Sequence, residues 1–398
     1  MKNTQKAVNL PKTIYGMVAA LELTESCVNV RFDEFTERAV LLDPATGSRE
    51  PVTDADRAEV KAEIEERFGL YSASKFDEAW RIFVSDPTRR YHPIKQRIEN
   101  IQWDGRQHIA HIFERVLQVD VSPYDMEAAR IFFAGGIQRL YDPGCKCDYV
   151  LVLIGTHQGE GKSTFLRWAA LEDDWYGELK TFDYQKGAEA LNGKWIVEIP
   201  ELAALRKSEV EEVKAFISQQ RDHYRRPYDR TTSDIKRKCV MAGTTNALQF
   251  LSDPTGNRRF LPVEVHSTGA ELFAREQEIR AELEQCWAEA YHKMGTPFMQ
   301  PAPSSRLIKR IEEHQEAAAV DDPSLAIICS YLENREETCV LEIFYDAFGR
   351  PSFEHPTKAE RNEIGMLLQR AGYRRTTTMY RYTKPTISRQ AKWVKASA

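Results

Sequence analysis

The chain has 398 residues, 42% of them hydrophobic, and carries 55 Lys and Arg against 60 Asp and Glu, for a net charge of −5 and a pI near 6.1. That much apolar content supplies packed cores for two or three domains and excludes a disordered chain, while the mild acidity excludes a uniformly basic coat for nucleic acid, so charge has to be read by segment. Seven cysteines, an odd number without a CxxC pair, exclude a disulfide framework and a zinc ribbon and fit a reduced, cytoplasmic protein.

No apolar run approaches the roughly 18 residues needed to cross a bilayer, and the N-terminus leads into no signal-peptide core, so neither membrane nor export is expected. Residues 1–118 read as an N-terminal mixed, mostly helical domain: Val28 to Phe32 predicts a strand and Asp54 to Phe68 a charged helix capped by Thr53 or Asp54. Ser122-Pro123 starts a helix over Tyr124 to Tyr141, with the proline at its first position.

A second domain is expected over 119–300. Short apolar strands at 149–154, 195–199, 239–244 and 260–265 alternate there with helical patterns near 162–171 and 208–219, the alternation of an α/β sheet covered by helices. A helix over Ala270 to Lys293 follows. Gly295 and the prolines up to Pro303 end it and read as the start of a linker, placed at 301–323.

The first strand runs into Gly155-Thr-His-Gln-Gly-Glu-Gly-Lys162-Ser163-Thr164, and a helix follows. This is the layout of a P-loop, in which backbone N–H groups cradle phosphates, the lysine neutralises β/γ charge and the next hydroxyl binds Mg²⁺. Gly155, Thr156, Gln158, Gly159, Glu160, Gly161, Lys162, Ser163 and Thr164 are therefore the expected contacts of ATP. The strict spelling fails by one residue, because Thr156 stands at the first glycine position and Gly155 precedes it.

Hydrolysis also needs a carboxylate for the metal and one to orient or deprotonate water. The second strand ends in Glu198-Ile-Pro-Glu201, where Pro200 stops pairing and lets Glu201 turn back toward the same edge. Ser163 and Glu198 are the expected metal ligands, although sequence alone leaves the roles of Glu198 and Glu201 exchangeable. Asn246 ends the third strand as a candidate partner of water or γ-phosphate. Arg258 and Arg259 are candidates for a finger offered to a neighbouring subunit.

From 221 to 238 there are seven basic residues against three acidic ones, interleaved with Tyr224 and Tyr228. Arg225, Arg226, Tyr228, Arg230, Lys236 and Arg237 make this a candidate DNA-contacting hairpin. A solvated hairpin or a subunit contact is the alternative. His108 and His111 find no third ligand, and Cys145 and Cys147 suit packing, so neither pair is assigned to metal.

The ordered set Pro143-Gly-Cys-Lys-Cys-Asp-Tyr149, Gln158-Gly-Glu-Gly-Lys-Ser-Thr164, Trp195-Ile-Val-Glu-Ile-Pro-Glu-Leu202, Lys214-Ala-Phe, Arg225-Arg-Pro-Tyr228, Gly243-Thr-Thr-Asn246 and Asp253-Pro-Thr-Gly-Asn-Arg-Arg-Phe260 resembles the virulence-associated E family. That family is related to superfamily 3 primase-helicases of phages and plasmids. The resemblance is strongest over residues 90 to 265. It implies an AAA+ core assembling as a ring, commonly a hexamer, with ATP between subunits and single-stranded or forked DNA in a central channel. Carried over, it makes Lys162 and Ser163 Walker A, Glu198 and Glu201 the Walker B region, Asn246 the sensor and Arg258 or Arg259 the finger. The first 100 residues show no signature of a primase-polymerase domain, so any priming is expected from a separate protein.

Residues 324–398 predict three helices (325–334, 340–348, 358–371) and then strands at 373–378, 380–383 and near Trp393, the order of a winged helix. From Ile364 to the last residue there are eight Lys or Arg and no Asp or Glu, so Arg374, Arg375 and Arg381 are candidate DNA contacts. A solubilising or protein-docking tail is the alternative for this stretch. The expectation is an ATP-hydrolysing, ring-forming DNA helicase of phage or mobile-element replication. Its rivals are a DNA-binding regulator that uses ATP only to assemble, and a nucleotide-dependent interference factor that acts on proteins.

Overall fold

The four apolar runs of the middle of the chain come together as one sheet in a computed structural model, which describes residues 9–120, 122–202, 207–224, 233–247, 257–305, 307–317, 323–333, 335–383 and 388–395. The chain divides into two compact units, 1–318 and 319–398.

The first unit begins with helix α1 (Ile14–Leu23), strands β1 (Val30–Asp33), β2 (Arg38–Leu42) and β3 (Arg49–Pro51), helices α2 (Asp54–Phe68) and α3 (Ala73–Ser85), and the short strand β4 (Arg90–Tyr91). These strands form a sheet of order β3-β2-β1-β4. Helix α2 has the predicted limits because both ends are closed chemically. Thr53 and Asp56 exchange side-chain and backbone hydrogen bonds at its start, and Gly69, in the left-handed region, ends it. Leu21, Ile64, Phe76, Trp80 and Phe83 form the core here.

Helices α4 (Pro93–Asn100), α5 (Ile112–Leu117) and α6 (Pro123–Tyr141) lead to the central sheet, built from β5 (Val150–Ile154), α7 (Lys162–Ala169), β6 (Tyr176–Glu178), α8 (Tyr184–Ala190), β7 (Ile196–Ile199), α9 (Lys207–Ile217), the hairpin β8 (Arg221–Tyr224) and β9 (Ser233–Lys236), β10 (Val240–Thr245) and β11 (Phe260–Glu264). The sheet order is β11-β5-β10-β7-β6 and every pairing is parallel. Both faces are buried, as parallel strands require.

On one face Leu151, Leu153, Ile196, Val240, Ala242 and Leu261 join Ile131, Phe133 and Trp287. On the other, Val150, Val152, Val197, Ile199 and Met241 meet Val213, Phe216 and Ile217 of α9. The alternation along each strand thus divides the side chains between two helical layers.

Three expectations change. Ile94, Ile98, Ile109, Ile112, Phe113 and Val116 belong to the same core as the sheet, and Glu289 accepts from the amides of His108 and Ile109 at 2.7 and 2.9 Å, so packing runs straight through residue 118. The helix expected over 270–293 is broken at Arg275 into α10 (Gly269–Ala274) and α11 (Glu276–His292). The expected linker 301–323 instead holds α12 (Ile308–Ala317), which docks on the sheet: Ile311 is buried, Gln315 donates to the Phe260 carbonyl at 2.8 Å, and the His314 ring stacks on Tyr124. Its polar sequence hid the buried Ile311 and Gln315.

The second unit runs α13 (Pro323–Leu332), β12 (Glu337–Thr338), α14 (Val340–Glu342) continued by a π-helical turn over Ile343–Ala347, α15 (Lys358–Arg370), β13 (Tyr373–Tyr382) and β14 (Ser388–Lys395). Its sheet order is β12-β14-β13. The two strands expected over 373–383 are one strand, whose register against β14 shifts between Arg375 and Met379. Ile328, Cys339, Phe344, Leu367 and Trp393 fill its core.

Candidate functional site

Strand β5 delivers its chain into a loop that lies over the carboxyl ends of β5, β7 and β10, the place where open parallel sheets hold ligands. The amide of Gly155 donates to the Thr245 carbonyl at 3.0 Å, which ties the loop to β10. Gly161 caps α7 at φ 82, a conformation that disfavours any side chain, and a Cβ there would meet Leu272 at 2.6 Å. From the other side, the Ser267 hydroxyl donates to the Glu160 carbonyl at 2.8 Å and the Gly269 amide to the Gly159 carbonyl at 2.6 Å. The segment after β11 therefore braces the loop.

Loop and strand ends enclose an open cavity of about 330 Å³ lined by Gln158, Gly159, Glu160, Gly161, Lys162, Ser163, Thr164, Glu198, Glu201 and Asn246, together with Pro200, Thr244 and Thr245. Most of the residues singled out in the sequence as nucleotide or catalytic candidates meet here. Gly155 and Thr156 are not among the lining residues.

Lys162 is buried, and its ammonium donates to Asn246 Oδ1 at 2.9 Å and Glu160 Oε2 at 3.0 Å. Burial alone would raise the Glu160 pKa; the Lys162 hydrogen bond and those from the His157 and Thr156 amides outweigh it and hold the carboxyl below its usual range.

Glu198 is 2% exposed, yet each carboxylate oxygen is satisfied. Oε1 accepts from Ser163 Oγ at 2.8 Å and Thr244 Oγ1 at 2.5 Å, and Oε2 accepts from the Tyr176 phenol. Burial, followed by the Glu198 carboxylate it donates to, pushes the Tyr176 phenol well above its ordinary pKa. Glu201 is exposed on the cavity wall with φ 51. A left-handed glutamate costs about 1–2 kcal/mol, and here it follows the turn at Pro200.

Sequence reasoning missed Thr244 and Tyr176. Thr244 was visible as a hydroxyl in Gly243-Thr-Thr-Asn246, whereas a tyrosine on the edge strand carried no signal.

Arg258 and Arg259 lie at the opposite edge of the sheet. Phe260 pairs with Val150 and Glu264 with Ile154, so the arginines sit about five residues, or about 16 Å, along the strand from the loop of their own chain. Arg259 Nε donates to Ser218 Oγ at 3.0 Å and Arg258 is exposed. Both line a second cavity of about 500 Å³ with Lys146, Tyr149 and Gln300.

The expected hairpin forms, with Arg221 directly opposite Lys236 and both exposed. Arg225, Arg226, Tyr228 and Arg230 lie outside the described residues. Arg237 requires correction as a DNA contact, because it is 3% exposed and its guanidinium grips the buried Asp222 at 2.7 and 2.8 Å. Its other donors go to Gln219 and the Phe216 carbonyl. Four of its five N–H groups are thus engaged within the protein, and burial keeps the guanidinium from a phosphate.

In the second unit Arg374, Arg375 and Arg381 are exposed on β13. A cavity of about 510 Å³ runs beside α15 and the strands, with Arg361, Asn362, Gln369, Arg375 and Gln390 on its walls. His108 is buried beside Asp104 at 2.8 Å, and no cluster of three or more His, Cys, Asp or Glu suited to metal occurs among the described residues. No described helix is long and apolar enough to cross a membrane.

Fold and site together define an α/β protein with a parallel central sheet that presents Lys162, Ser163, Glu198 and Glu201 around one glycine-rich loop. The chain belongs to the virulence-associated protein E-like family, whose domain matches residues 98–320, more than half of its length. No curated protein matches it. Among solved structures it is similar to the apo C-terminal region of NrS-1 (305–718), at 12% identity and a TM-score of 0.49, over 95% of this chain and 99% of that one. An A-form apo structure of the same region gives 11% identity and a TM-score of 0.48, over 97% and 100%.

Proposed function

We propose that this protein is an AAA+-type P-loop ATPase that hydrolyses ATP with Mg²⁺ and uses the energy to move or separate DNA strands, as a helicase of phage or mobile-element replication. The observation that carries the reading is the convergence of Lys162, Ser163 and Glu198 beneath one glycine-rich loop. Lysine and loop amides suit the β- and γ-phosphates of ATP.

Ser163 Oγ and Glu198 Oε1, 2.8 Å apart, match the roughly 2.9 Å between adjacent oxygens of an octahedral shell with bonds of about 2.0–2.1 Å. Bound there, Mg²⁺ would neutralise charge developing on the phosphate oxygens. Glu198, held by Thr244 and Tyr176, keeps one carboxylate aimed at that position. Glu201 and Asn246, both on the exposed wall, orient the attacking water.

Arg258 sits too far from its own loop to touch a nucleotide bound there, which favours service to a neighbouring copy and hence a homo-oligomeric ring, in the family commonly a hexamer. Two features support DNA as the partner. Like charges directly opposite each other, as at Arg221 and Lys236, oppose pairing unless an anion lies between them. The second unit has the helix, strand, helix, helix, hairpin order of a winged helix, with basic residues on its ribbon.

Strand displacement from a forked duplex, measured beside ATP turnover with and without single-stranded DNA and with native mass, tests the reading. Displacement by a DNA-stimulated, ring-sized species is the expected result. ATP-dependent oligomers that displace no strand would instead establish an assembling regulator.

A further inference from the structure

We propose, on the reading of the loop as an ATP site, that Glu160 is a built-in competitor of the nucleotide: its carboxylate holds the phosphate-binding groups until a polyphosphate displaces it. Residues 156–159 on the same loop are all exposed, whereas Glu160 turns inward to 8% exposure. One carboxylate oxygen accepts from the amides of Thr156 and His157, each at 3.1 Å, and the other from the Lys162 ammonium at 3.0 Å. Two loop amides and the lysine are the kinds of donor that a phosphate oxygen uses. Glu160 supplies an anion of its own.

The same contact accounts for the irregular motif. A Cβ on Gly155 would fall 1.5 Å from Glu160 Oε2 and 2.2 Å from Lys162 Nζ, so the missing side chain is what gives the carboxylate its seat. A phosphate arriving at Lys162 would lie against this carboxylate, and two anions so close repel strongly in a largely buried site. Glu160 must therefore swing out as the nucleotide enters. Apparent affinity is then reduced by the fraction of molecules in which it is already out.

The test titrates the full chain and its Glu160→Gln and Glu160→Ala variants with ADP, pyrophosphate and adenosine by calorimetry, with Lys162→Ala marking the site. If the carboxylate occupies its seat nine-tenths of the time, both Glu160 variants bind ADP and pyrophosphate about tenfold more tightly, with adenosine unaffected. ADP and pyrophosphate affinities equal to or weaker than those of the unaltered chain, with binding still lost in Lys162→Ala, would overturn the proposal and leave Glu160 as a shaper of the loop. Binding that survives Lys162→Ala would overturn the reading of the loop itself, and the proposal with it.

Discussion

Replacing Arg237 by methionine separates a structural arginine from a DNA-binding one. The guanidinium makes two charge-assisted bonds at 2.7 and 2.8 Å to Asp222, donates to Gln219 and the Phe216 carbonyl, and stacks 4.2 Å from the Phe216 ring. Asp222 is 4% exposed, so removing its partner strands a carboxylate in the interior. Breaking one side of such a pair costs about 3–5 kcal/mol.

In urea the midpoint for the unit spanning residues 1–318 should fall accordingly. A second change, Asp222→Leu, should restore part of the loss, since an apolar pair of similar volume needs no charge compensation. Unfolding followed by tryptophan fluorescence, of which Trp195 and Trp287 are fully buried reporters, supplies the assay. An unchanged midpoint, together with weaker DNA binding at every sequence and a shallower salt dependence, would refute the reasoning and return Arg237 to the DNA-contacting set.

The remaining predictions concern acid stability, the carboxylate at the site and the ribbon of the second unit. His92 is buried, with burial first and then Lys95 and Lys238 pushing its pKa from 6.5 to about 3. The unfolded chain therefore takes up the proton first, and stability should fall by about 1.4 kcal/mol per pH unit as pH drops from 6.5 toward 3; His92→Asn, which keeps an acceptor for the Lys95 amide, should remove that slope from acid-unfolding curves. Tyr176→Phe deletes a bond to a charged group worth about 1.5–3 kcal/mol, so ATP turnover should drop roughly tenfold or more with nucleotide binding retained; unchanged turnover would take Tyr176 out of the site. Neutralising Arg374, Arg375 and Arg381 together should flatten the salt dependence of DNA binding by about 0.7–0.9 for each phosphate no longer neutralised, and an unaltered slope would assign that ribbon another partner.

The central sheet was legible because both signals that define it are local. Apolar runs of five or so residues alternate with helical patterns, and the loop between Ile154 and Lys162 places its glycines, lysine and hydroxyl within a few positions of each other. Glu198, Glu201 and Asn246 could be read because each lies at or just past the carboxyl end of a strand, and in a parallel sheet these ends share one edge.

What escaped depends on long-range packing. The charged run Lys309-Arg-Ile-Glu-Glu-His gives no sign that α12 seats Ile311 and Gln315 against β11, 50 or so residues earlier. Arg237 looked like its basic neighbours because burial against Asp222, 15 residues away, leaves no trace in composition. Gly155 looked like a misplaced motif glycine until the Glu160 carboxylate was seen resting over it.

The most direct test of the account is ATP turnover by the unaltered chain and by Lys162→Ala, each with and without Mg²⁺. The account predicts hydrolysis only in the unaltered chain and only with the metal. Turnover that persists in Lys162→Ala, or none in a folded, unaltered chain that has Mg²⁺ and single-stranded DNA, would contradict it.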